Sequence, residues 1–481
     1  MLAAPQPFSF ILFGASGHLA QIKIYPALYI LALKKRLPKE FVIVGYARTE
    51  MSEGEFRALV ADSIKKDIGE VNEKILNDLL EHTFYHQGQY DDVKDYEALN
   101  EKLKTWEKGW KDPVRLAYLS IPPTVFPAVT KYLGEGKVYE KGMEFRCIVE
   151  KPVGHDMKSF EEIKKELTDC FGVENSYLLD HYLGKEAVRN VYYLRYANPM
   201  LERLFKNTLI QHVEITASET MGLEGRAGYF EHTGTLRDMF QSHLLMIASL
   251  LTMRFEQDGD GFRKSRMNAL EQLYLPPSAD LGDIVLQGQY AKGMLKNTEV
   301  PGYQQEDNVE SGSRTNTFVA LKLLSRTSRW QGVPFYLRSG KRLDKKETRI
   351  SIQFQEPHPV GKGSTPNRLD IILQGEGGMR MHMQTKMGGI EPEYRPLLME
   401  DPLVCVGDCL PEHSQLVLEA IHGLQQWYLD FEEVRIAWKL IDPIQAYLDK
   451  PETSLSMYEA GSTGPRGVDD WAKKDGVTWL T

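Results

Sequence analysis

Six consecutive residues concentrate side chains that can do chemistry on a charged substrate. The stretch from Asp180 to Lys185 reads Asp-His-Tyr-Leu-Gly-Lys and leads into a predicted helix. The imidazole of His181, the phenol of Tyr182 and the ammonium group of Lys185 together make a set of donors suited to a dianion such as a phosphate. The sequence therefore predicts that an anionic substrate binds at this stretch.

A second stretch places an acid and an imidazole on one expected helix. The run from Gly234 to His243 contains Asp238 five residues before His243. An imidazole can carry a proton near neutral pH, but most single histidines on apolar helices belong to the core. The residue types alone leave both roles open for His243.

A glycine-rich turn after the first predicted strand is typical of a dinucleotide phosphate site. Small residues there let a helix N-terminus approach a pyrophosphate. The second strand ends at Arg48, where an NAD-specific site would place a carboxylate, so Arg48 favours a 2′-phosphate and hence NADP. A solvated arginine at a strand end is the alternative. The residues of the predicted turn are Gly14, Ala15, Ser16, Gly17, His18 and Leu19.

A third candidate for cofactor or substrate binding follows a later strand. Glu150-Lys151-Pro152 comes directly after an apolar run, at the expected carboxyl edge of a parallel sheet, where doubly wound folds bind ligands. We expect Lys151 to bind there, although a surface lysine is the alternative. Pro152 fits a turn with a cis peptide bond.

The elements that position these residues form two domains. Short apolar runs alternate with helix-like stretches up to residue 178, which predicts a right-handed, doubly wound parallel sheet, a Rossmann domain over residues 1–178. After a predicted helix over 185–196, alternating runs predict a larger α+β domain over 179–481. Its sheet is expected to be mostly antiparallel, with helices on one side and the other face free for a partner subunit.

Composition sets the class of protein. The chain has 481 residues, a formal charge of −9 and four cysteines. The negative charge argues against broad binding to nucleic acids or acidic membranes. Cys405 and Cys409 have no second Cys or His pair nearby, so ordinary thiols are expected and no metal. The first strand begins too early for a signal peptide, and no apolar run could span a membrane, so the cytoplasm is the expected location.

The residues of these motifs resemble the glucose-6-phosphate dehydrogenase family, collinearly over nearly the whole chain. DHYLGKE is the most specific of them. The matching stretches are GASGHLA (14–20), KIYPAL (23–28), GYAR (45–48), IPPTVF (121–126), EKPVG (150–154), DHYLGKE (180–186), GLEGRAGYF (222–230), LRDMFQSHLL (236–245), FYLRSGKRL (335–343) and YEAGSTGPRG (458–467).

The resemblance implies a role for each candidate residue. His243 would be the general base that takes the proton from the anomeric hydroxyl, and Asp180 would orient it. The sugar phosphate would be held by His181, Tyr182, Lys185 and Lys346. Lys151 would contact both cofactor and substrate. The sugar hydroxyls would be contacted by Glu219, Asp238, Lys341 and Gln374.

The resemblance also implies an activity and an assembly. The reaction would be oxidation of D-glucose 6-phosphate at C1 to 6-phospho-D-glucono-1,5-lactone by NADP, the first oxidative step of the pentose phosphate pathway. Subunits would form homodimers or homotetramers through the sheet of the second domain. A second, structural NADP site, to which Arg349 could belong, is not expected here. A related hexose phosphate as substrate, or dinucleotide binding without turnover, are the alternatives.

Three positions depart from the family pattern. His18 stands where the family usually has an aspartate, and Gln21 and Ile22 stand where it usually has lysines. A histidine at the first turn of a helix lacks the acceptor with which an acid caps backbone N–H groups. We therefore expect an altered affinity for the cofactor, with NADP preferred and NAD as an alternative acceptor.

Overall fold

The protein is described by a computed structural model over residues 6–255, 259–278, 280–357, 363–375, 377–403 and 405–480. The chain divides into two compact units. The first comprises Met1–Lys185 and Asp408–Phe431, and the second Glu186–Gly407 and Glu432–Thr481. This division differs from the boundary expected after residue 178, because a late segment of the chain folds with the first unit.

The first unit contains a parallel six-stranded sheet with the order β3-β2-β1-β4-β5-β6. This is the doubly wound order of dinucleotide-binding folds, and it confirms the predicted Rossmann class. No apolar run in the sequence predicts β3 or β6. The strands are β1 Phe8–Phe13, β2 Phe41–Ala47, β3 Thr83–Gln87, β4 Val114–Leu119, β5 Phe145–Glu150 and β6 Ser176–Leu179.

The helices of this unit begin with capping side chains that the sequence supplies. Ser52 and Glu55 form a capping box at α2, and Asp156 and Ser159 form one at α6, so backbone N–H groups at both helix starts have partners. A π-turn, Ala20–Ile24, leads into α1, and a short 3₁₀ turn, Pro123–Val125, leads into α5. The helices are α1 Tyr25–Leu33, α2 Glu53–Ile68, α3 Glu73–Glu81, α4 Val93–Trp106, α5 Phe126–Glu135, α6 Met157–Phe171 and α7 His181–Gly184.

The second unit is built on a mostly antiparallel sheet, as predicted. In the described residues ten strands form it, in the order β17-β16-β15-β14-β7-β13-β12-β9-β18, with β8 paired to β12. The pairs β7–β13 and β9–β18 are parallel. The strands are β7 Ile210–Ser218, β8 Leu273–Tyr274, β9 Val285–Ala291, β10 Gly293–Leu295, β11 Thr298–Val300, β12 Phe318–Ser325, β13 Phe335–Gly340, β14 Glu347–Phe354, β15 Arg368–Gln374, β16 Gly378–Lys386, β17 Tyr394–Asp401 and β18 Ser456–Glu459.

The helices of the second unit include an unusual π-helix. It spans Leu236–Leu244 and continues directly into α11, and a kink at Gly234 precedes it. Two 3₁₀ turns, Leu281–Asp283 and Tyr303–Gln305, complete this part of the chain. The helices are α8 Glu186–Ala197, α9 Pro199–Leu204, α10 Ala227–Thr235, α11 Leu245–Thr252 and α12 Gly259–Glu271.

The segment after Gly407 returns to the first unit. Its helix α13, Glu412–Ile421, packs against α1 and α7. Arg146 Nη1 donates to the carbonyl oxygens of Ala420 at 2.7 Å and Ile421 at 2.6 Å, and Leu429 N donates to Leu178 O at 2.9 Å. These bonds explain why residues 408–431 belong with the Rossmann sheet. The chain then re-enters the second unit and ends with α14 Phe431–Leu448 and α15 Gly467–Lys473.

One face of the second sheet is more buried than the alternating sequence pattern predicts. The polar side chains of β7 that were expected to be wet, His212, Glu214 and Thr216, are 1–3% exposed. The C-terminal segment covers them, because Leu480 N donates to both Glu214 carboxylate oxygens at 3.1 Å. Trp479 also packs against Tyr336 with ring centroids 5.9 Å apart. The exposed part of the sheet lies instead at β16 and β17.

Cys405 and Cys409 are disulfide-bonded, so the expectation of ordinary thiols was wrong for this pair, while Cys147 and Cys170 are free. Two cysteines four positions apart in a loop satisfy the short reach that a disulfide requires. Among the helices that the structure describes, none has the length and apolar content needed to cross a bilayer.

Candidate active site

The glycine-rich turn after β1 has a backbone that only glycine allows. Gly14 has φ +81°, and a Cβ atom on it would lie 2.2 Å from the carbonyl oxygen of Ser120. Gly17 N donates to Gly14 O at 2.8 Å and closes the turn. The helical residues that lead into α1 begin at His18, which is exposed. The helix N-terminus is therefore open to an anion such as a pyrophosphate.

Neighbouring side chains hold this turn in place. Tyr25 Oη donates to Ala15 O at 2.6 Å, and burial together with Tyr85 raises the pKa of Tyr25, so the phenol remains a donor. Gln21 Nε2 donates to Ser16 O at 3.0 Å. Gln21, one of the two departures from the expected basic run, therefore braces the turn rather than adding charge.

Arg48 stands beside the turn at the end of β2. It is exposed, and its guanidinium carbon lies 5.4 Å from the ring centroid of Tyr90. The adjacent Thr49 shares a hydrogen bond of 3.0 Å with Ser16, which links the glycine turn to the segment after β2. The cation and the turn thus lie at the same edge of the sheet.

Lys151 and Asp180 follow the neighbouring strands β5 and β6, whose carboxyl ends meet at that same edge. The peptide bond between Lys151 and Pro152 is cis. Asp180 is fully buried and caps α7, because its Oδ1 accepts a hydrogen bond of 2.9 Å from Tyr182 N. The predicted cofactor residues of the first unit therefore lie at the same sheet edge as residues 181–185, the predicted phosphate segment.

The phosphate segment is compact. The ammonium nitrogen of Lys185 lies 3.8 Å from the ring centroid of Tyr182, and the His181 and Tyr182 rings are 5.0 Å apart. A cation above an aromatic face is held electrostatically. The arrangement keeps Lys185 close to the two ring-bearing residues with which it was predicted to act.

Sequence reasoning missed the residues on which this segment rests. A Cβ on Gly184 would lie 2.5 Å from Glu412 O, so glycine is what allows α7 to contact the start of α13. Glu412 Oε1 is 3.4 Å from Lys23 Nζ, and the His413 and His181 rings are parallel with centroids 6.4 Å apart. No local motif marks residues 412 and 413, which are more than 200 positions from the segment they support.

The charged groups around Glu412 change the pKa of its carboxyl group. Burial raises the pKa of its carboxyl, but its own backbone N–H, Lys23, His413 and Lys185 outweigh burial, and the pKa falls below its usual range. His413 Nε2 is also 3.7 Å from Glu150 Oε1, and that carboxylate accepts a hydrogen bond from Tyr118. Glu412 thus remains an anion among the basic residues of the segment.

In the second unit, one edge of the sheet gathers four of the predicted substrate residues. β7 and β13 are parallel neighbours whose last residues are paired. Glu219 follows β7 and Lys341 follows β13, so the two residues lie side by side at this edge. Lys341 Nζ lies 2.6 Å from Glu219 Oε2. Lys346 precedes β14, whose first residue pairs with the last residue of β7. Gln374 pairs with Thr348 at the same edge.

The π-helix carries the remaining two candidates. Asp238 and His243 both lie on it, and it packs against β7. His243 is 3% exposed, and its Nδ1 is 3.4 Å from Ser242 Oγ. Tyr229 Oη donates to Asp238 Oδ1 at 3.4 Å. Burial raises the pKa of Tyr229, and the negative charge of Asp238 raises it further. π-Helical segments occur frequently at functional sites.

Each unit presents its own set of chemical groups. The first presents a glycine-rich turn at a helix N-terminus and, at residues 181–185, two aromatic rings with a lysine. The second presents carboxylates and an amide that can accept hydrogen bonds from hydroxyls, two lysines, and a buried imidazole. Such a set suits oxidation of a polyhydroxylated anion by a dinucleotide.

Comparisons with known proteins indicate the same family for the N-terminal and C-terminal parts of the chain. Residues 11–190 match the family model described as glucose-6-phosphate dehydrogenase, NAD binding domain, and residues 192–480 match the C-terminal domain of the same family. The glucose-6-phosphate 1-dehydrogenase of Bacillus subtilis (strain 168) is 34% identical over 480 residues, 98% of this chain and 97% of that protein. The Schizosaccharomyces pombe enzyme is 36% identical over 479 residues, 98% of this chain and 94% of its own.

A solved structure is similar as well. A glucose-6-phosphate dehydrogenase in complex with its substrate glucose-6-phosphate superposes with a TM-score of 0.91 and 30% identity, covering 100% of both chains. The similarity extends over both units, including the segment that returns to the first unit.

Proposed function

The chain belongs to the glucose-6-phosphate dehydrogenase family of oxidoreductases, and from that premise we propose that it oxidises D-glucose 6-phosphate at C1 to 6-phospho-D-glucono-1,5-lactone. NADP⁺, when bound, supplies the hydride acceptor. The observation that carries the proposal is the sheet edge bearing Glu219, Lys341, Lys346 and Gln374 beside the π-helix with a buried His243. The reaction would be the first oxidative step of the pentose phosphate pathway.

His243 is the general base of the proposed mechanism. Its imidazole takes the proton of the anomeric hydroxyl as the C1 hydride leaves, so that a carbonyl forms without a charged alkoxide. Asp180 is proposed to orient the imidazole and to stabilise the imidazolium that forms. Burial of both residues supports this pairing, because a carboxylate shielded from water stabilises a neighbouring cation more strongly.

The phosphate group is held by His181, Tyr182 and Lys185, with Lys346 as a further cation. Charge-assisted hydrogen bonds from ammonium and imidazole groups are the strong ones for a dianion. Lys185 is already held above Tyr182, which limits the side-chain entropy lost on binding.

The hydroxyls of the sugar donate hydrogen bonds to acceptor groups at the sheet edge and on the π-helix. Glu219, Asp238 and Gln374 offer carboxylate and amide oxygens, and Lys341 is fixed by its 2.6 Å ion pair with Glu219. A site built to pair with hydroxyls rejects analogues that lack them. Lys151 is proposed to contact both the sugar and the cofactor.

The cofactor site consists of Gly14, Ala15, Ser16, Gly17, His18 and Leu19 together with Arg48 and Lys151. The residues fit a dinucleotide, because a Cβ at Gly14 would fill the backbone cradle and Arg48 is exposed beside it. Arg48 supports NADP as the preferred cofactor. His18 adds no acceptor at the helix start, and NAD is proposed as a slower second acceptor.

One dinucleotide site per chain is proposed. Arg349, the candidate for a second structural site, donates to Leu480 O and lies 3.6 Å from Glu347 Oε1. The neighbouring Arg338 packs 4.5 Å from the Trp479 ring. Both guanidinium groups are thus engaged by the chain itself. The proposed assembly is a homodimer or homotetramer in the cytoplasm.

A coupled set of assays tests the function. The chain is mixed with glucose 6-phosphate and either NADP⁺ or NAD⁺, and absorbance of the reduced nicotinamide is followed. Turnover that is faster with NADP⁺ supports the proposal, and no turnover with either cofactor contradicts it. Galactose 6-phosphate, glucosamine 6-phosphate and free glucose in parallel measure how strictly the hydroxyls and the phosphate are read.

A further inference from the structure

The motif YEAGSTGPRG (458–467) contains none of the residues proposed above for cofactor or sugar, but its first residue contacts one of them. Tyr458 lies in β18 and is 4% exposed. Its Oη donates to the carbonyl oxygen of Lys341 at 2.7 Å, across 117 positions of the chain. Lys341 is a proposed ligand of the sugar hydroxyls. The motif therefore reaches the sugar-binding edge of the second sheet through the Tyr458 hydroxyl.

Two backbone hydrogen bonds continue this contact along the loop that follows β13. Gly461 N donates to Arg342 O at 2.7 Å. Asp344 N donates to Ser462 O at 3.0 Å. Arg342 has φ +53°, a left-handed conformation that is uncommon for a residue other than glycine and that persists only where the surrounding structure holds it. Together with the Tyr458 hydroxyl, these bonds fix the loop at three points.

The direction of the hydrogen bonds at Tyr458 follows from a backbone donor. Tyr290 N donates to Thr317 Oγ1 at 2.9 Å, so the Thr317 hydroxyl keeps its own proton to donate. Thr317 Oγ1 lies 3.0 Å from Tyr458 Oη, which leaves the Tyr458 proton for Lys341 O rather than for the more distant Thr317 O at 3.1 Å. Burial raises the pKa of Tyr458, so the phenol stays protonated. The result is a buried chain of hydrogen bonds, which strengthen one another and end at the carbonyl of Lys341.

The side chain of Lys341 extends from this fixed backbone. Lys341 N donates to Thr317 O at 2.9 Å, so the N–H and the carbonyl of the residue are both bound. Its Nζ lies 2.6 Å from Glu219 Oε2 and 5.0 Å from the ring centroid of Phe230. A displacement of about 1 Å at a group that binds substrate can cost about 10²-fold in rate. The position of the Lys341 backbone therefore matters for the sugar.

We propose that Tyr458 is a positioning residue for Lys341: its hydroxyl fixes the Lys341 carbonyl and thereby the place at which the ammonium group meets the sugar hydroxyls. The inference rests on the proposed function, because that function is what makes Lys341 a ligand of the sugar. Tyr458 acts through Lys341 and is not itself a ligand. Phenylalanine would fill the same core space beside Phe318 but would leave the carbonyl without this donor.

The variant Tyr458→Phe removes the hydroxyl and keeps the ring, whose centroid lies 5.8 Å from that of Phe318. Calorimetry of the full chain with glucose 6-phosphate alone is expected to show binding weaker by about three- to tenfold. Steady-state kinetics should show a matching rise in KM for glucose 6-phosphate, with kcat within about twofold and KM for NADP⁺ unchanged. A variant that merely folds less completely would instead lose kcat and keep both KM values.

The matched control is Tyr336→Phe. Tyr336 is 0% exposed and belongs to the same hydrophobic cluster as Tyr458, but its hydroxyl donates to Asp475 at 2.9 Å and not to the loop of Lys341. This variant is expected to bind glucose 6-phosphate like the unaltered chain. An equal loss of binding in both variants would show that any missing buried hydroxyl disturbs the site, and would contradict a specific role for Tyr458.

A double-mutant cycle with Lys341→Met shows whether the effect passes through Lys341. In that background Tyr458→Phe is expected to weaken binding by less than about twofold, because the group that it positions is gone. The inference is overturned if Tyr458→Phe binds glucose 6-phosphate like the unaltered chain, or if it weakens binding equally in both backgrounds. An unaltered chain that binds glucose 6-phosphate without oxidising it would contradict the proposed reaction alone, whereas one that does not bind it would overturn both.

Discussion

At the scale of single residues, the proposed proton-transfer groups are the most secluded ionisable side chains of the candidate site. Asp180 is 0% exposed and His243 is 3% exposed, whereas Arg48 and Lys346 are open to solvent. Seclusion suits groups that must exchange one proton with the substrate and not with water. Exposure suits groups that must bind a charged ligand as it enters the site from solvent.

Replacing the proposed base tests its role directly. His243→Asn keeps a polar side chain of similar width but cannot accept a proton, so kcat is expected to fall by about 10²- to 10⁴-fold. KM for glucose 6-phosphate is expected to change little, because the phosphate ligands remain. Steady-state kinetics with NADP⁺ measure both. Turnover equal to that of the unaltered chain would rule out His243 as the base. His232→Asn, the same replacement at an exposed histidine of the same unit, serves as the control.

Removing a phosphate ligand has a different signature. Lys185→Ala removes one charge-assisted contact worth roughly 1.5 to 3 kcal/mol, so KM for glucose 6-phosphate is expected to rise by about one to two orders of magnitude. Turnover of free glucose, which has no phosphate, is expected to be unaffected. Equal losses with both substrates would show that Lys185 acts on something other than the phosphate.

At the scale of elements, helix α13 supports the phosphate segment from behind. The contact depends on Gly184, whose missing side chain admits the carbonyl of Glu412, and on Glu412 itself, which lies beside Lys23. The short α7 has too few residues to be stable alone. Its position is therefore set by packing against α13 rather than by its own sequence.

A single methyl group is expected to disturb this packing. In Gly184→Ala the new Cβ would lie 2.5 Å from Glu412 O and 2.9 Å from Leu416 Cδ1, so α7 must shift. We expect the free energy of unfolding to fall by about 1 to 3 kcal/mol and KM for glucose 6-phosphate to rise. Thermal denaturation and steady-state kinetics provide the measurements.

The matched control lies in α5. A Cβ on Gly134 would meet no atom within 4 Å, so Gly134→Ala is expected to be neutral or to stabilise the protein by up to about 1 kcal/mol. If the two variants behave alike, close packing of α7 on α13 is not what fixes glycine at position 184.

The elements also show where sequence reasoning works and where it stops. Continuous apolar runs identified β1 and β2, and glycines marked the phosphate turn, because both signals are local. β6 has only four residues and was missed, and the polar side chain of Glu214 was expected in water. Its partner, the backbone of Leu480, is 266 residues away, and such a pairing leaves no local pattern. Glu412 and His413 were missed for the same reason.

At the scale of the whole molecule, the second sheet ends in strands that nothing in the described chain covers. β17 is exposed along most of its length, with Leu398 49% and Met399 56% exposed. An exposed apolar end strand invites pairing or packing with another chain. This end of the sheet is the surface through which we expect subunits to associate.

Charge at this surface is expected to separate the subunits. Met399→Glu places a carboxylate in the proposed interface, where its desolvation is unfavourable, so the mass measured by light scattering should fall toward that of a monomer or dimer. Met294→Glu, at a residue that is equally exposed at 56% but on the β10–β11 ribbon, is the control and should leave the mass unchanged. A Met399→Glu chain with unaltered mass would place the interface elsewhere.

The return of α13 to the first unit also has a consequence for synthesis on the ribosome. About 250 residues separate Lys185 from Phe431, so at ~5–20 residues per second the last helix of the dinucleotide-binding unit emerges roughly 12 to 50 s after the rest of it. During that interval the surface of α1 and α7 that α13 covers is open to chaperones. A ribosome that stops before residue 408 therefore releases a nucleotide-binding unit whose phosphate segment lacks its supporting helix.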